Sequence, residues 1–161
     1  LVRFVRDYHN HFCVGGACYP EGHPEAPSKE ADLDNLKRKV DSGVDFLIIQ
    51  LFFDNADYFS FCDRARSAGI SVPIIAGLMR ILNVGQIKRF TTMCGAKIPA
   101  ELLRRVEAVE DDAEAVRQIG TYHAVEQARG LLMQGVAGLH FYTLNKSTAT
   151  RAILHLIKSG G

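Results

Sequence analysis

The chain has 161 residues, which allows one domain and hardly two. With 47% apolar and 23% charged residues it can bury enough apolar surface to offset the entropy of folding, which excludes a disordered chain. The 19 basic and 18 acidic residues give a net charge of +1, leaving no electrostatic footprint for nucleic acid and no basic excess for an anionic membrane.

Leu1–Asn10 reads as the end of an amphipathic helix, with Leu1, Val2, Val5 and Tyr8 on one side. Arg3, Arg6 and Asp7 make it unlike a secretory leader. A helix met part-way through sets the expectation that these residues are a piece of a longer polypeptide. Phe12–Tyr19, an apolar run stopped by Pro20, predicts the first strand. A loop rich in Pro, Gly and His follows to Ser28. Leu33, Leu36 and Val40 then have helical spacing over about 30–41, with Lys37–Lys39 facing outward and Gly43 ending the helix.

Val44–Phe53 is nearly continuous in apolar residues, as in a parallel strand buried on both faces. It is too short for a membrane span of ~20 residues, and Gln50 interrupts it. Asp54 and Asn55 cap a helix to about Ala68, stopped by Gly69. Val72–Leu78 is a third strand. Asn83 caps a helix through about Cys94, and Pro99 opens a short one to about Val109. Glu110–Asp112 place negative charge at the start of a long helix to about Gln134, where the helix dipole favours it. Val136–Tyr142 is the fourth strand, and Asn145 or Ser147 caps a last helix to about Lys158.

Such alternation predicts an α/β fold with a parallel sheet and right-handed crossovers. Four βα units fit either a small open doubly wound sheet or half of a (β/α)8 barrel of TIM type, and the mid-helix opening favours the half barrel. In both, ligands lie at the carboxyl ends of the strands. Cys13, Cys18, Cys62 and Cys94 form no C-x-x-C pair, so zinc and thioredoxin-like chemistry have little support, and covered free thiols are expected. His9 and His11 could form a weak metal pair, but exposed histidines at a helix end explain them better. No metal is expected.

The first strand ends in YPEGHPEA, Tyr19–Ala26, which carries a ring, two carboxylates and an imidazole; it is either a plain surface loop or a ligand loop. Asp32, Asn35, Arg38 and Lys39 lie along one helical stripe, read either as a solvated face or as groups for hydroxyls and phosphates. No glycine-rich dinucleotide or P-loop motif is present. Gln50 is either satisfied by a neighbour or aimed at a polar heterocycle. Gln86 and Phe90 share a helix face, and His140–Lys146 is a polar cluster with a cation at the fourth strand's end. No proton-transfer constellation is visible, so no catalytic residue is assigned.

YPEGHPEA, then ADLDNLKRKVDSG over Ala31–Gly43, IIQLFFD over Ile48–Asp54 and LHFYTLN over Leu139–Asn145 together resemble the methylenetetrahydrofolate reductase family, in order and in spacing. The resemblance covers nearly the whole chain. It implies that residues 1–161 are the C-terminal half of one FAD-binding (β/α)8 catalytic barrel, strands five to eight. The implied reaction passes hydride from NAD(P)H through FAD to 5,10-methylenetetrahydrofolate, giving 5-methyltetrahydrofolate, in cytoplasmic one-carbon metabolism serving methionine biosynthesis. The implied partners are that small-molecule substrate, the missing N-terminal half of the barrel and, in the full enzyme, a homo-oligomer.

By resemblance Tyr19, His23 and Ala26 lie along the FAD, and Asp32, Asn35, Arg38 and Lys39 bind the rest of it. Gln50, Gln86, Phe90 and Lys146 line the site that folate and nicotinamide use in turn. Lys146 stands where the family usually has Arg, and Arg80 where it usually has Pro. The family's general-acid glutamate and the aspartate near the flavin belong to the first half of the barrel and have no counterpart here. A non-catalytic flavin-binding half barrel, or another parallel α/β binding module, is the alternative. A flavin barrel such as proline dehydrogenase would not explain YPEGHPEA or LHFYTLN.

Overall fold

The computed structural model describes residues 1–9, 11–145 and 147–159. Along them run α1 (Val2–Tyr8), β1 (Gly15–Cys18), α2 (Lys29–Asp41), β2 (Phe46–Ile49), α3 (Asn55–Ser67), β3 (Ile74–Leu78), α4 (Val84–Cys94), α5 (Ala100–Glu107), α6 (Ala113–Met133), β4 (Leu139–Phe141) and α7 (Ser147–Lys158). The strands form one sheet in the order β1-β2-β3-β4, and every neighbouring pair is parallel. The α/β reading and the predicted adjacency of the four strands therefore hold.

The helices begin where polar side chains take up their free N–H groups. Ser28 Oγ accepts from Ala31 N at 3.1 Å, Asp54 Oδ1 from Ala56 N at 2.9 Å, and Asn83 Oδ1 from Gln86 N at 2.9 Å. Asp112 Oδ1 accepts from both Glu114 N and Ala115 N, so α6 starts after Asp112 rather than at Glu110. Each such cap contributes about 1 kcal/mol and fixes where a rim loop ends.

One face of the sheet carries the core. Cys18, Leu47, Ile49, Ile74, Ala76 and Leu78 pack there against Leu36 of α2, Tyr58, Phe61 and Ala65 of α3, and Ala128 and Leu131 of α6. The alternate positions face the other way: Ala17 is exposed, and Phe46, Ile48, Ile75 and His140 are only half-buried. A second cluster sits beyond the strands' carboxyl ends, where Leu51, Phe53, Met79 and Ile81 meet Val84 and Ile87 of α4, Leu102 and Val106 of α5, and Val116 of α6.

The strands are shorter than their apolar runs. β2 ends at Ile49, although Gln50 N still donates to Cys18 O at 2.8 Å. Leu51, Phe52 and Phe53 are buried without being strand, because this segment turns over the rim, Phe52 into the first cluster and its neighbours into the second. α1 also departs from expectation. Leu1 and Tyr8 are 97% and 73% exposed, and of its apolar side only Val2 and Val5 are half-buried. Arg6 anchors it instead, donating from Nε to Gly43 O at 2.7 Å and pairing with Asp45. Of the four thiols, Cys13 is exposed rather than covered, lying ahead of β1.

Candidate functional site

At the end of β1 the loop folds through two turns, Gly22 N to Tyr19 O at 3.3 Å and Ala26 N to His23 O at 2.9 Å. The Tyr19 and His23 rings meet edge-on with centroids 4.5 Å apart. His23 Nδ1 accepts from Glu25 N at 3.1 Å, which directs its other ring nitrogen away from the loop backbone. Asp32 Oδ2 accepts from His23 N at 3.1 Å, so the carboxylate of α2 holds the loop in place.

The rest of the α2 stripe is on the same side. Arg38 Nη2 donates to Asn35 Oδ1 at 2.7 Å, and both side chains are exposed. Lys39 was expected to face outward, but its stem lies over Gly16 and its Nζ donates to Ala17 O at 2.8 Å. A fully extended Lys would leave that carbonyl at the strand margin to water alone. Sequence reading missed two further cations: Arg64 of α3 donates to Pro20 O at 2.9 Å, and with Lys29 it lines a small recess beside Tyr19, Asp32 and Phe61. Nothing local signals Arg64, since it reaches back to β1's loop from the next βα unit.

This donor set suits a flavin dinucleotide. Its cations match a pyrophosphate, Asp32 and Asn35 match sugar hydroxyls, and the positions of β1 on the face away from the core, Gly15 and Ala17, are exposed and carry no side chain larger than a methyl group.

At the other end of the rim, Gln86 and Phe90 of α4 line one cleft together with Leu78, Met79, Asn83, Tyr142 and Thr143, with Thr150 and Ile153 of α7 completing it. Its enclosed volume is about 20 Å³, so a flat ring would lie across it rather than inside it. Phe90 is half-buried and Gln86 exposed. Tyr142, within the polar cluster expected at the fourth strand's end, is one of the lining residues; it donates from Oη to Ile49 O at 3.2 Å, and burial pushes its phenol up to about 12, so it stays a donor at neutral pH. Its ring passes over Gly77, where a Cβ would fall 2.0 Å from Ile49 O and 2.8 Å from the ring, so only glycine allows the crossing.

Gln50 lies between the two ends. Its Oε1 accepts from Leu51 N at 3.0 Å, and its amide NH₂ donates to no described residue. Arg80 is half-buried and donates to Arg117 O at 3.1 Å, so the stretch after β3 is tied to α6. Lys146 lies outside the described residues. Among the described residues no group of three or more His, Cys, Asp or Glu could hold a metal, and no helix is long and apolar enough to cross a membrane.

The methylenetetrahydrofolate reductase family model matches residues 1–158. The 5,10-methylenetetrahydrofolate reductase of Escherichia coli (strain K12) is 44% identical over 98% of this chain and 52% of that protein. Methylenetetrahydrofolate reductase 2 of Saccharomyces cerevisiae is 40% identical over 96% of this chain and 26% of its own length. The chain thus spans about half the length of the bacterial relative and about a quarter of the yeast one. A solved structure from Clostridium thermocellum, of an uncharacterized protein that binds two copies of 5-methyl-5,6,7,8-tetrahydrofolic acid, matches 98% of this chain and 56% of that one with a TM-score of 0.63. At 19% identity that likeness speaks to the fold. With a family model running almost from end to end and relatives at 40–44% identity, the chain belongs to the methylenetetrahydrofolate reductase family.

Proposed function

We propose that this chain is the second half, strands five to eight, of a flavin-dependent (β/α)8 barrel that reduces 5,10-methylenetetrahydrofolate to 5-methyltetrahydrofolate at the expense of NAD(P)H. The observation that carries this reading is one rim with two unlike ends: a cation-bearing stripe on α2 beside the β1 loop, and a cleft under Gln86 and Phe90 at the ends of β3 and β4.

In this reading Arg38 and Lys39 neutralise the FAD pyrophosphate, and Asp32 and Asn35 take sugar and ribityl hydroxyls. Tyr19, His23 and Ala26 border the ring system. Bound FAD supplies the hydride relay between NAD(P)H and the one-carbon unit. Gln50 presents its free NH₂ donor to the pterin or the nicotinamide, which occupy the same place in turn. Phe90 stacks on that heterocycle, Gln86 reads its edge, and Lys146 carries charge for the folate carboxylates. No Asp or Glu lines the cleft among the described residues, so the acid that activates the substrate comes from the strands that close the barrel. A cytoplasmic place in methionine supply, and a homo-oligomeric full enzyme, follow from the same reading.

The absence of an acid at the cleft favours one second reading, a half barrel that binds flavin without chemistry. The full-length protein decides. Purified, it should be yellow, bleach with NADH or NADPH, and recover colour with methylenetetrahydrofolate. Colour that neither nicotinamide bleaches supports the second reading, and a colourless protein that takes up no FAD refutes both. The 161 residues alone should not turn over, since β1 and β4 each keep an unpaired edge that invites self-association.

A further inference from the structure

The loop over 19–26 is fastened at one point that neither the α2 stripe nor the β3–β4 cleft uses. Glu21 has a nearly buried side chain, 5% exposed, although it is a carboxylate in a surface loop. Burying a carboxylate is costly unless it is matched. Its Oε1 accepts from the backbone N–H of Lys97 at 2.9 Å. Its Oε2 lies 3.1 Å from Lys97 Nζ, paired by charge and distance without hydrogen-bond alignment. The same ammonium lies 3.7 Å from Asp57 of α3.

Lys97 belongs to the turn between α4 and α5. That turn starts at Gly95, whose φ of 68° caps α4 in the left-handed region. A Cβ on Gly95 would stand 3.3 Å from Pro24 Cγ and 3.5 Å from Gly22 O, so the end of α4 rests directly on the loop. α4 also carries Gln86 and Phe90. One carboxylate thus joins the loop bearing Tyr19 and His23 to the helix bearing the cleft residues.

We propose that Glu21 is a positioning residue: clasped by Lys97, it makes the β1 loop and α4 a single unit, so that flavin retention on one side and folate affinity on the other depend on each other. This rests on the flavin and folate reading above. Coupling of this kind is reciprocal, so a ligand in the cleft should tighten FAD by the same factor that FAD tightens the ligand.

Two measurements on the full-length protein test it. In flavin-free protein, Lys97→Met and Glu21→Gln should speed amide hydrogen exchange in both 19–26 and 95–98, leaving β2 and β3 unchanged. This arm is independent of whether flavin binds. In the second, FAD is titrated with and without 5-methyltetrahydrofolate. Lys97→Met should weaken FAD by about threefold to fivefold and reduce the mutual tightening, with kcat at saturating FAD unchanged. Lys97→Arg should restore both. Unchanged exchange in the two segments overturns the clasp. Faster exchange with unaltered FAD affinity and tightening overturns its positioning role. A wild-type protein that takes up no FAD overturns the flavin reading and the coupling with it, and the exchange data then report separately on the clasp.

Discussion

At the β1–β2 end of the rim, the candidate site groups sit on one helix, α2, and on the few residues before it, with Asn35 and Arg38 exposed and the others half-buried. At the β3–β4 end, the lining comes from two strand ends, α4 and α7, over an apolar floor. The first end is a charged surface held by local bonds such as Asp32 to His23 N. The second is a tertiary construction that exists only once distant segments have met. A charged stripe can lose one member and keep its shape, whereas the cleft fails when any supporting contact moves.

The sharpest way to break that contrast is Gly77→Ala. The added methyl group would fall 2.0 Å from Ile49 O, so β3 must separate from β2 and lose the Tyr142 crossing. A loss of about 3 kcal/mol in chemical denaturation is expected, at the upper end for overpacking. Stability within 1 kcal/mol of wild type would show that the cleft is less tightly determined than this geometry requires.

The charged end should behave differently. Lys39→Ala or Arg38→Ala should leave the denaturation midpoint almost unmoved while weakening FAD retention about tenfold to a hundredfold, the range of a charge-assisted hydrogen bond of ~1.5–3 kcal/mol. Flavin absorbance that survives dialysis undiminished in both variants would contradict the α2 assignment. Gln50→Ala sets the two ends apart: it should keep its flavin and slow the folate or nicotinamide half-reaction, and a colourless Gln50→Ala protein would place that residue on the wrong side.

A smaller effect comes from His123 of α6. Burial lowers its pKa below the usual histidine value, with the Phe53 backbone opposing, and its Nε2 has no partner among the described residues. The folded state therefore favours the neutral ring. Its contribution is present above the unfolded pKa near 6.5 and is lost as pH falls toward the folded value. The unfolding midpoint should drop between pH 7.5 and 5.5, and His123→Leu should flatten the drop. An identical slope in the variant would remove His123 as its source.

The same contrast explains what could be read from the amino-acid order. The helix starts at Asp54 and Asn83 were legible because a cap is a local event, and the α2 stripe because helical spacing places Asp32, Asn35, Arg38 and Lys39 together. The pairing of Gln86 with Phe90 was legible for the same reason. The bond of Tyr142 to Ile49, the reach of Arg64 and the Glu21–Lys97 pair were not, because the partners lie in other βα units and no periodicity marks them. The run around β2 overstated the strand because buried apolar residues also line the turn over the rim, as Leu51–Phe53 do. The outward placing of Lys39 failed because a long flexible stem can bend back to a carbonyl on its own sheet.

The order of strands across the sheet, identical to their order along the chain, also bears on how the molecule assembles. Each ladder needs only its chain neighbour, but the intervals differ. Cys18 to Phe46 and Ile49 to Ile74 are single crossovers, whereas Leu78 to Leu139 must first wind three helices. Closing the longer loop costs more entropy, by about 0.6 kcal/mol for a doubling in length. In pulse-labelled refolding, amides of β1 and β2 should gain protection before those of β4, so the charged end of the rim takes shape while the cleft is still unmade.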